Sequence, residues 1–308
     1  MKIGTDCSGI DAPIQALTQM GISFEHVFSS DIDKYCVDSI KSNYNTKLIF
    51  GDKNGLFPDG DITKRDIDSV PDIDMYVCGF PCQPFSQAGG RKGFEDSRGN
   101  VFWSCMEVIK FKQPKYFILE NVKNILRHDN GNTWKTIWGA LCALSGYSVK
   151  WKILNTRNYG IPQNRERVWI VGVKEGCGAF TWPEPVESDK PLLDYVDNTD
   201  TNTVMWKRKH SLDKINKNAV FVDVDFLHYT NYPNAHIFSP CVVARGSSLW
   251  CVPLHRYANT KEFAGLQGFP SEFKQVVSNC QMKKQYGNSM SVNVLIKIFE
   301  SLPSLEYN

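Results

Sequence analysis

The chain of 308 residues lacks any apolar run long enough to cross a bilayer, any leader-like segment, any internal repeat and any low-complexity stretch. From the first two absences neither a membrane-spanning nor an exported protein is expected, and from the last two neither a solenoid nor a disordered linker. A dominant charge is missing too: 35 basic and 33 acidic residues leave a formal net charge of +2. That argues against a protein that coats nucleic acid by bulk attraction, while leaving room for a basic cleft on a balanced surface. Ten cysteines contain no Cys-x-x-Cys pair, and Cys241, Cys251 and His255 form only a partial ligand set, whereas structural zinc needs four well-placed ligands. No metal is therefore expected. Thiols in this number without a leader point to a reducing, cytoplasmic setting in which they stay free.

What is present centres on Gly79-Phe80-Pro81-Cys82-Gln83-Pro84-Phe85-Ser86, directly after an apolar strand segment, Met75 to Cys78. A cysteine between two prolines is stiffly presented, because each ring fixes its own φ and drives the preceding residue toward extended backbone. Such a thiol is either a nucleophile or a buried structural cysteine beside a turn. Histidine is absent from this segment and from the other motif segments below, which removes the usual activator of a hydrolytic cysteine.

Around this stretch the chain reads as alternating strands and helices. Met1 to Cys7 forms a first strand, and Ile14, Leu17 and Met20 share one face of the helix that follows. Gly9 thus lies in a strand-to-helix turn where a ligand can reach bare backbone, unless it is an ordinary βα connection. The next strand, Phe24 to Phe28, ends at Asp31. An acidic residue about 20 positions after a glycine turn reads ribose hydroxyls in dinucleotide sites, but Asp31 also suits the N-cap of the amphipathic helix carrying Tyr35, Ile40 and Tyr44. Apolar strand Tyr116 to Leu119 delivers Glu120 at its end. Trp134, Ile137, Trp138, Leu141 and Leu144 fall at helical spacing and read as a core stripe. Gln163-Asn164-Arg165-Glu166-Arg167 precedes a strand, Val168 to Val173, and Gly287-Asn288-Ser289 precedes a helix bearing Val292, Leu295, Ile298, Phe299 and Leu302.

Taken in order, the Asp6 turn, the Cys82 loop, Glu120-Asn121-Val122, the Gln163 to Arg167 segment and Gly287-Asn288-Ser289 resemble the motifs of the DNA (cytosine-5)-methyltransferases, with bacterial restriction-modification enzymes as the nearest likeness. The match runs from Asp6 to Val294 with one unmatched stretch, after Lys174, the length of a small module. The resemblance implies an α/β fold: a doubly wound, mostly parallel sheet of the S-adenosylmethionine-dependent, Rossmann-like type, with a smaller irregular, strand-and-loop target recognition domain. It divides the chain into a catalytic and cofactor-binding part, 1–174 plus 285–308, and a recognition part, 175–284. Two departures stand out: Cys7 occupies a position where Phe is usual, and Asp11-Ala12 replaces a Gly-Gly pair.

The resemblance further implies methyl transfer from S-adenosyl-L-methionine, leaving S-adenosyl-L-homocysteine, to carbon 5 of a flipped-out cytosine in double-stranded DNA. In that reading Cys82 adds to C6, Glu120 serves N3, Arg165 stabilises O2, Arg167 and Gln163 orient both, and Asn121 positions the loop. Asp6, Cys7, Ser8, Gly9, Ile10, Asp31, Ile32, Asp61, Ile62, Gly79, Pro81, Val101, Asn288 and Ser289 bind the cofactor. Ser86, Gln87, Arg98, Lys207, Arg208 and Arg245 contact DNA, the last three from the recognition part, whose basic run Lys207 to His210 is otherwise solvated surface. A monomer is expected, with a partner endonuclease acting on the same site. The tRNA-methylating branch of the family is the alternative, but its Cys-Phe-Thr signature is absent from this sequence. A catalytically silent module on the same fold is a further alternative, and the complete Cys82, Glu120, Arg165 and Arg167 set speaks against it.

Overall fold

The computed structural model describes residues 1–81, 101–188, 190–200, 215–226, 233–245 and 248–303. Among these the chain packs as two compact units. Unit 1 comprises Met1–Leu154, Glu166–Pro183 and the segment from Ile298, and unit 2 comprises Asn155–Arg165 and Glu184–Lys297. The expected division lay at 174/175 and 284/285; by packing, residues 155–165 and 285–297 group with unit 2, and 175–183 with unit 1.

Unit 1 is built on strands β1 (Lys2–Asp6), β2 (Glu25–Ser30), β3 (Leu48–Phe50), β4 (Met75–Cys78), β5 (Tyr116–Val122), β6 (Tyr147–Asn155) and β7 (Glu166–Lys174). They form a seven-stranded sheet in the order β3-β2-β1-β4-β5-β7-β6. Pairings from β3 through to β5 are all parallel, and β7 joins β5 antiparallel. Parallel strands covered on both faces need continuous apolar runs, and Met75 to Cys78 and Tyr116 to Leu119 are wholly buried. Helices α1 (Ala12–Gln19), α2 (Lys34–Asn43), α3 (Val101–Lys112) and α4 (Asn132–Cys142) supply the connections. Phe102, Cys105 and Ile109 of α3 and Ile137 and Leu141 of α4 join Phe28, Phe50, Tyr76, Phe117 and Ile170 in one apolar core. The tryptophans of the expected stripe sit at its rim: Trp134 and Trp138 are half-buried and stacked at 6.1 Å, with Trp151 edge-on to Trp134 at 4.8 Å. Burying one such aromatic is worth about 2–3 kcal/mol.

Strand order reverses between β1 and β4. In open α/β sheets that reversal opens a crevice beyond the carboxyl ends of the strands. The register makes the level of those ends explicit: Phe50, Ser30, Asp6, Cys78 and Leu119 are paired in a line across β3, β2, β1, β4 and β5. Their successors, Gly51, Asp31, Cys7, Gly79 and Glu120, are therefore brought to one level at that edge. Glu120 itself stays in β5, paired with Trp169, so the strand runs three residues past the expected Leu119.

Unit 2 contains an antiparallel three-stranded sheet in the order β10-β9-β8, from β8 (Phe221–Asp223), β9 (Leu249–Cys251) and β10 (Arg256–Tyr257). Its apolar cluster is Ile215, Ala219, Val222, Val224, Ala235 and Trp250, with the Tyr257 ring edge-on to Trp250 at 5.1 Å. Helix α5 (Thr260–Gln267) starts in a capping box formed by Asn259 and Glu262, two orphan donors answered reciprocally. Glu262 also receives both Nη groups of the buried Arg256 at 2.8 Å. Helix α6 (Asn279–Asn288) is capped by Ser278, and α7 (Val292–Glu300) follows, with Ile298 onward belonging to unit 1. Among the described residues no helix is long and apolar enough to cross a membrane.

Candidate active site

At the end of β1 the chain turns through Cys7 and Gly9, both at positive φ, 49° and 57°. Nothing lies within 4 Å of where a Cβ on Gly9 would stand, so this stretch of backbone is open. The turn is tied to β2: Ser8 N donates to Ser30 O at 2.9 Å, and Gly9 N donates to Asp31 Oδ2 at 2.8 Å. Asp31 is not the cap of α2. Asp33 holds that position and accepts from Tyr35 N, while Asp31 Oδ1 accepts from Asp33 N. The neighbouring Ile32 is 78% exposed.

The third loop closes tightly on this corner. A Cβ on Gly60 would stand 2.1 Å from the backbone oxygen of Asp31, so only glycine permits the approach. Beyond it Asp61 caps a short 3₁₀ turn, accepting from Thr63 N at 3.0 Å and Thr63 Oγ1 at 2.7 Å and pairing with Lys64 at 2.9 Å. Partial burial works against its charge, but these bonds hold its carboxyl below the ordinary value. Ile62 is buried in the unit 1 core, and Val101 packs against it.

Asp6 lies beneath the turn with its carboxylate wholly buried. Arg65 grips it through both Nη atoms, at 2.8 and 2.7 Å, and Tyr76 donates a hydroxyl at 2.7 Å. The Arg65 guanidinium rests on the Phe50 ring at 4.6 Å. The sequence reading missed Arg65; the only signal for it is that an aspartate ending a buried strand needs a cation. Cys7 and Cys105 flank Cys78, whose sulfur lies 3.2 Å from that of Cys105. Burial pushes the Cys78 thiol well up. Cys7, although its bond with Cys78 favours the thiolate, is on balance also pushed up by burial and by Cys105, Asp6 and Asp31. These are poor nucleophiles at neutral pH.

At the ends of β4 and β5, Asn121 Nδ2 donates to Phe80 O at 2.7 Å, which fixes the backbone just ahead of Pro81. Gly79 is half-buried and Pro81 exposed. Glu120 is paired with Arg167, Oε1 to Nε 3.1 Å, with both side chains largely buried. The register accounts for the meeting: Val122 opposes Arg167 and Glu120 opposes Trp169, so the two are diagonal neighbours on one face. Cys82, Ser86, Gln87, Arg98, Lys207 and Arg208 lie outside the described residues.

The remaining candidates belong to unit 2. Gln163 is fully buried, donating to Leu266 O at 2.6 Å and Gln267 Oε1 at 2.9 Å and accepting from Val242 N at 2.8 Å. Arg165 is 2% exposed. Its Nη1 donates to Val242 O at 2.8 Å and its Nη2 to Ser289 O at 2.6 Å, with longer bonds to Cys241 Sγ and Gly287 O. Both Nη groups thus bond backbone carbonyls of the same unit. Asn288 is exposed at the end of α6, and Ser289 is buried. Arg245 is half-exposed, 3.7 Å from Asp223 and stacked on Phe226 at 4.6 Å. No group of three His, Cys, Asp or Glu side chains suited to a metal occurs among the described residues.

A sheet of this order, with its loops gathered at the β1/β4 reversal, defines an α/β methyltransferase fold. The S. pombe Dnmt2 methyltransferase shares it, with a TM-score of 0.68 at 18% identity over 97% of each chain. So does the Entamoeba histolytica methyltransferase EhMeth, with a TM-score of 0.64 at 16% identity, covering 98% of this chain and 97% of that one. In sequence, residues 3–304 match the family model of the C-5 cytosine-specific DNA methylases. The chain is 36% identical over 286 residues to the Type II methyltransferase M.NgoBI of Neisseria gonorrhoeae, covering 88% of this chain and 83% of that protein. It is 38% identical over 290 residues to the Type II methyltransferase M.SsoII of Shigella sonnei, covering 90% and 74%. The chain belongs to the C-5 cytosine-specific DNA methylase family and is a site-specific DNA cytosine-5 methyltransferase. Family and fold imply S-adenosylmethionine as methyl donor.

Proposed function

We propose that unit 1 performs the methylation with Cys82 as nucleophile, Glu120 as proton donor and Arg167 as the cation beside it. The observation that carries this reading is the Glu120–Arg167 pair, one residue from the Asn121 bond that fixes the approach to Cys82. Carbon 5 of cytosine is a weak nucleophile. Addition of the Cys82 thiolate to C6 makes the ring an enamine and moves charge onto N3 and O2, splitting one hard step into easier ones. Glu120 meets N3 with a proton, and a fixed guanidinium stabilises O2 as its charge develops. Arg167 suits that task better than Arg165, whose Nη groups are held by unit 2 carbonyls. Arg165 and Gln163 instead stiffen the segment that leads into β7. Loss of the C5 proton to water or hydroxide then expels Cys82 and restores the ring.

S-adenosylmethionine, when bound, supplies the methyl group on a sulfonium. The residues present fit it: the open backbone of Gly9 takes a close ligand, Asp31 reads ribose hydroxyls, and exposed Ile32 covers a base. Asp6, Cys7, Ser8, Ile10, Asp61, Ile62, Gly79, Pro81, Val101, Asn288 and Ser289 complete the assignment. Because C6 of a paired cytosine is stacked, the nucleotide is turned out of the duplex. Unit 2 holds the DNA and reads base edges, with Arg245, Lys207 and Arg208 toward phosphate, and Ser86, Gln87 and Arg98 contact it from the catalytic side. The Type II names of the relatives support a cognate endonuclease acting on the same site. A monomeric, cytoplasmic enzyme completes the reading.

Duplex DNA bearing 5-fluorocytosine at the target is expected to become covalently fixed to the enzyme, since fluorine cannot leave as a proton does. Cys82→Ala abolishes the adduct; trapping that survives it refutes the nucleophile. Glu120→Gln is expected to lose turnover while retaining cofactor. Tritiated methyl appearing in tRNA and not in DNA would move the enzyme to the RNA-modifying alternative.

A further inference from the structure

Asp11 stands at the N-cap of α1 in the left-handed region, φ 55° and ψ 52°, yet makes no capping bond. Its side chain turns inward and is fully buried. Thr5 Oγ1 donates to Oδ1 at 2.7 Å, and Ser29 Oγ donates to Oδ2 at 2.5 Å. His26 Nε2 lies 2.7 Å from Ser29 Oγ, and Thr46 Oγ1 lies 2.7 Å from His26 Nδ1. Each hydroxyl carries one proton. With Thr5 and Ser29 both directed at the carboxylate, His26 must donate from Nε2 and accept at Nδ1 from Thr46. On the other side Ser8 Oγ is 2.8 Å from Thr5 Oγ1, accepts from Ser30 N at 2.9 Å and has the carbonyls of Thr5 and Ser30 within donating distance at 3.0 and 3.1 Å. From Thr46 through His26 and Ser29, and from Thr5, the protons point toward one carboxylate.

We propose that Asp11 is the positioning residue of the cofactor turn, its carboxylate orienting Thr5 and through it Ser8, so that Cys7-Ser8-Gly9 is held in its open form before ligand arrives. This rests on the reading that the Asp6 to Ile10 turn binds S-adenosylmethionine. A hydroxyl-lined anion does here what a bare glycine pair would leave to the backbone. The titratable groups around it are His26 and Asp31 from the β2 segment, Asp6 with its partner Arg65, Cys7 on the turn itself, and Tyr44 after α2, whose hydroxyl bonds Ile10 O. Burial pushes the Asp11 carboxyl up to about 7, and burial holds His26 down to about 4. Near neutrality Asp11 therefore changes charge while His26 does not. Protonation turns one accepting oxygen into a donor, so Thr5 or Ser29 must redirect its hydroxyl and the arrangement of the turn changes, although the folded chain as a whole holds that proton more tightly than the unfolded one.

Calorimetric titration of the full chain with S-adenosylmethionine, and separately with S-adenosylhomocysteine, from pH 6 to 8.5 tests this. Wild type is expected to bind about tenfold more weakly at the acid end. Asp11→Gly is the decisive variant, because glycine suits φ 55° better than aspartate. A purely conformational role predicts unchanged affinity; positioning predicts a Tm held or raised, affinity lowered at least tenfold and no pH dependence near neutrality. Asp11→Asn, which keeps one acceptor and cannot titrate, should bind with intermediate strength and a flat profile, and it serves if the glycine variant fails to fold. Wild-type affinity and pH profile in both variants would overturn the proposal while leaving the cofactor reading intact. Absence of binding to the wild type at every pH would overturn both.

Discussion

Two buried charges in this molecule are solvated by neutral groups in contrasting ways. In unit 2 the Arg165 cation is wrapped by the carbonyls of Val242, Gly287 and Ser289; in unit 1 the Asp11 anion is wrapped by the hydroxyls of Thr5 and Ser29. A guanidinium does not lose its charge in water at any ordinary pH, so the first knot is indifferent to acidity. The second titrates. One region is a fixed brace and the other changes charge near neutrality, although both answer the same desolvation problem.

The largest effect expected from breaking this contrast is at Arg165. Arg165→Ala strands several buried carbonyls and should cost about 3–5 kcal/mol, equally at pH 6 and pH 8. Urea unfolding measures it, and a loss that varies with pH would contradict the fixed character of the brace. Arg167→Ala sharpens the same point from unit 1, on the proposed reading of the Glu120–Arg167 pair. It should lower turnover about 100- to 1000-fold while costing only about 1–2 kcal/mol of stability, between the values for surface and buried pairs. Equal damage to stability in the two variants would erase the distinction between them.

A smaller effect concerns stability against pH. The folded Asp11 carboxyl sits at about 7 against an ordinary 3.8, so its contribution is full below about pH 4 and is lost as pH rises to 7, a change on the order of 4 kcal/mol. Folded His26 sits at about 4 against 6.5, so its contribution is full above pH 6.5 and is lost as pH falls to 4, on the order of 3 kcal/mol. The slopes oppose each other, and from this pair the wild type should be nearly flat across the interval. Asp11→Asn should then gain stability with rising pH, and His26→Gln should lose it. Parallel slopes in all three proteins would show that the two groups do not titrate as described. Smallest of all, Lys123→Ala removes a half-exposed partner of Glu166 and should shift stability by under about 1 kcal/mol.

Much of unit 1 was legible because its strands are apolar runs that end in polar, chemistry-bearing residues. Asp31, Glu120 and the Gly9 turn could each be placed at a strand end from local pattern alone. What stayed hidden depends on distance in sequence. Asp31 and Asp33 suit a helix cap equally well, and only the bond from Gly9 separates them. Glu120 looked like the residue after a strand because polarity ended the apolar run, whereas its pairing with β7 extends it. The resemblance gave O2 to Arg165 and an orienting role to Arg167; the Val242 and Ser289 acceptors of Arg165 lie 77 to 124 residues further along, which local sequence does not reveal. Asp11 was visible as a departure from Gly-Gly, but the hydroxyls and imidazole that accommodate it come from three separate segments.

The chain passes between the units at four points, 154/155, 165/166, 183/184 and 297/298. Anyone grafting a new sequence preference onto this enzyme by transplanting the long insert alone would leave eleven residues of the host behind, Gln163 and Arg165 among them, facing foreign carbonyls. A working chimaera has to carry both pieces, and the short one is as much a part of the packing of unit 2 as the long one.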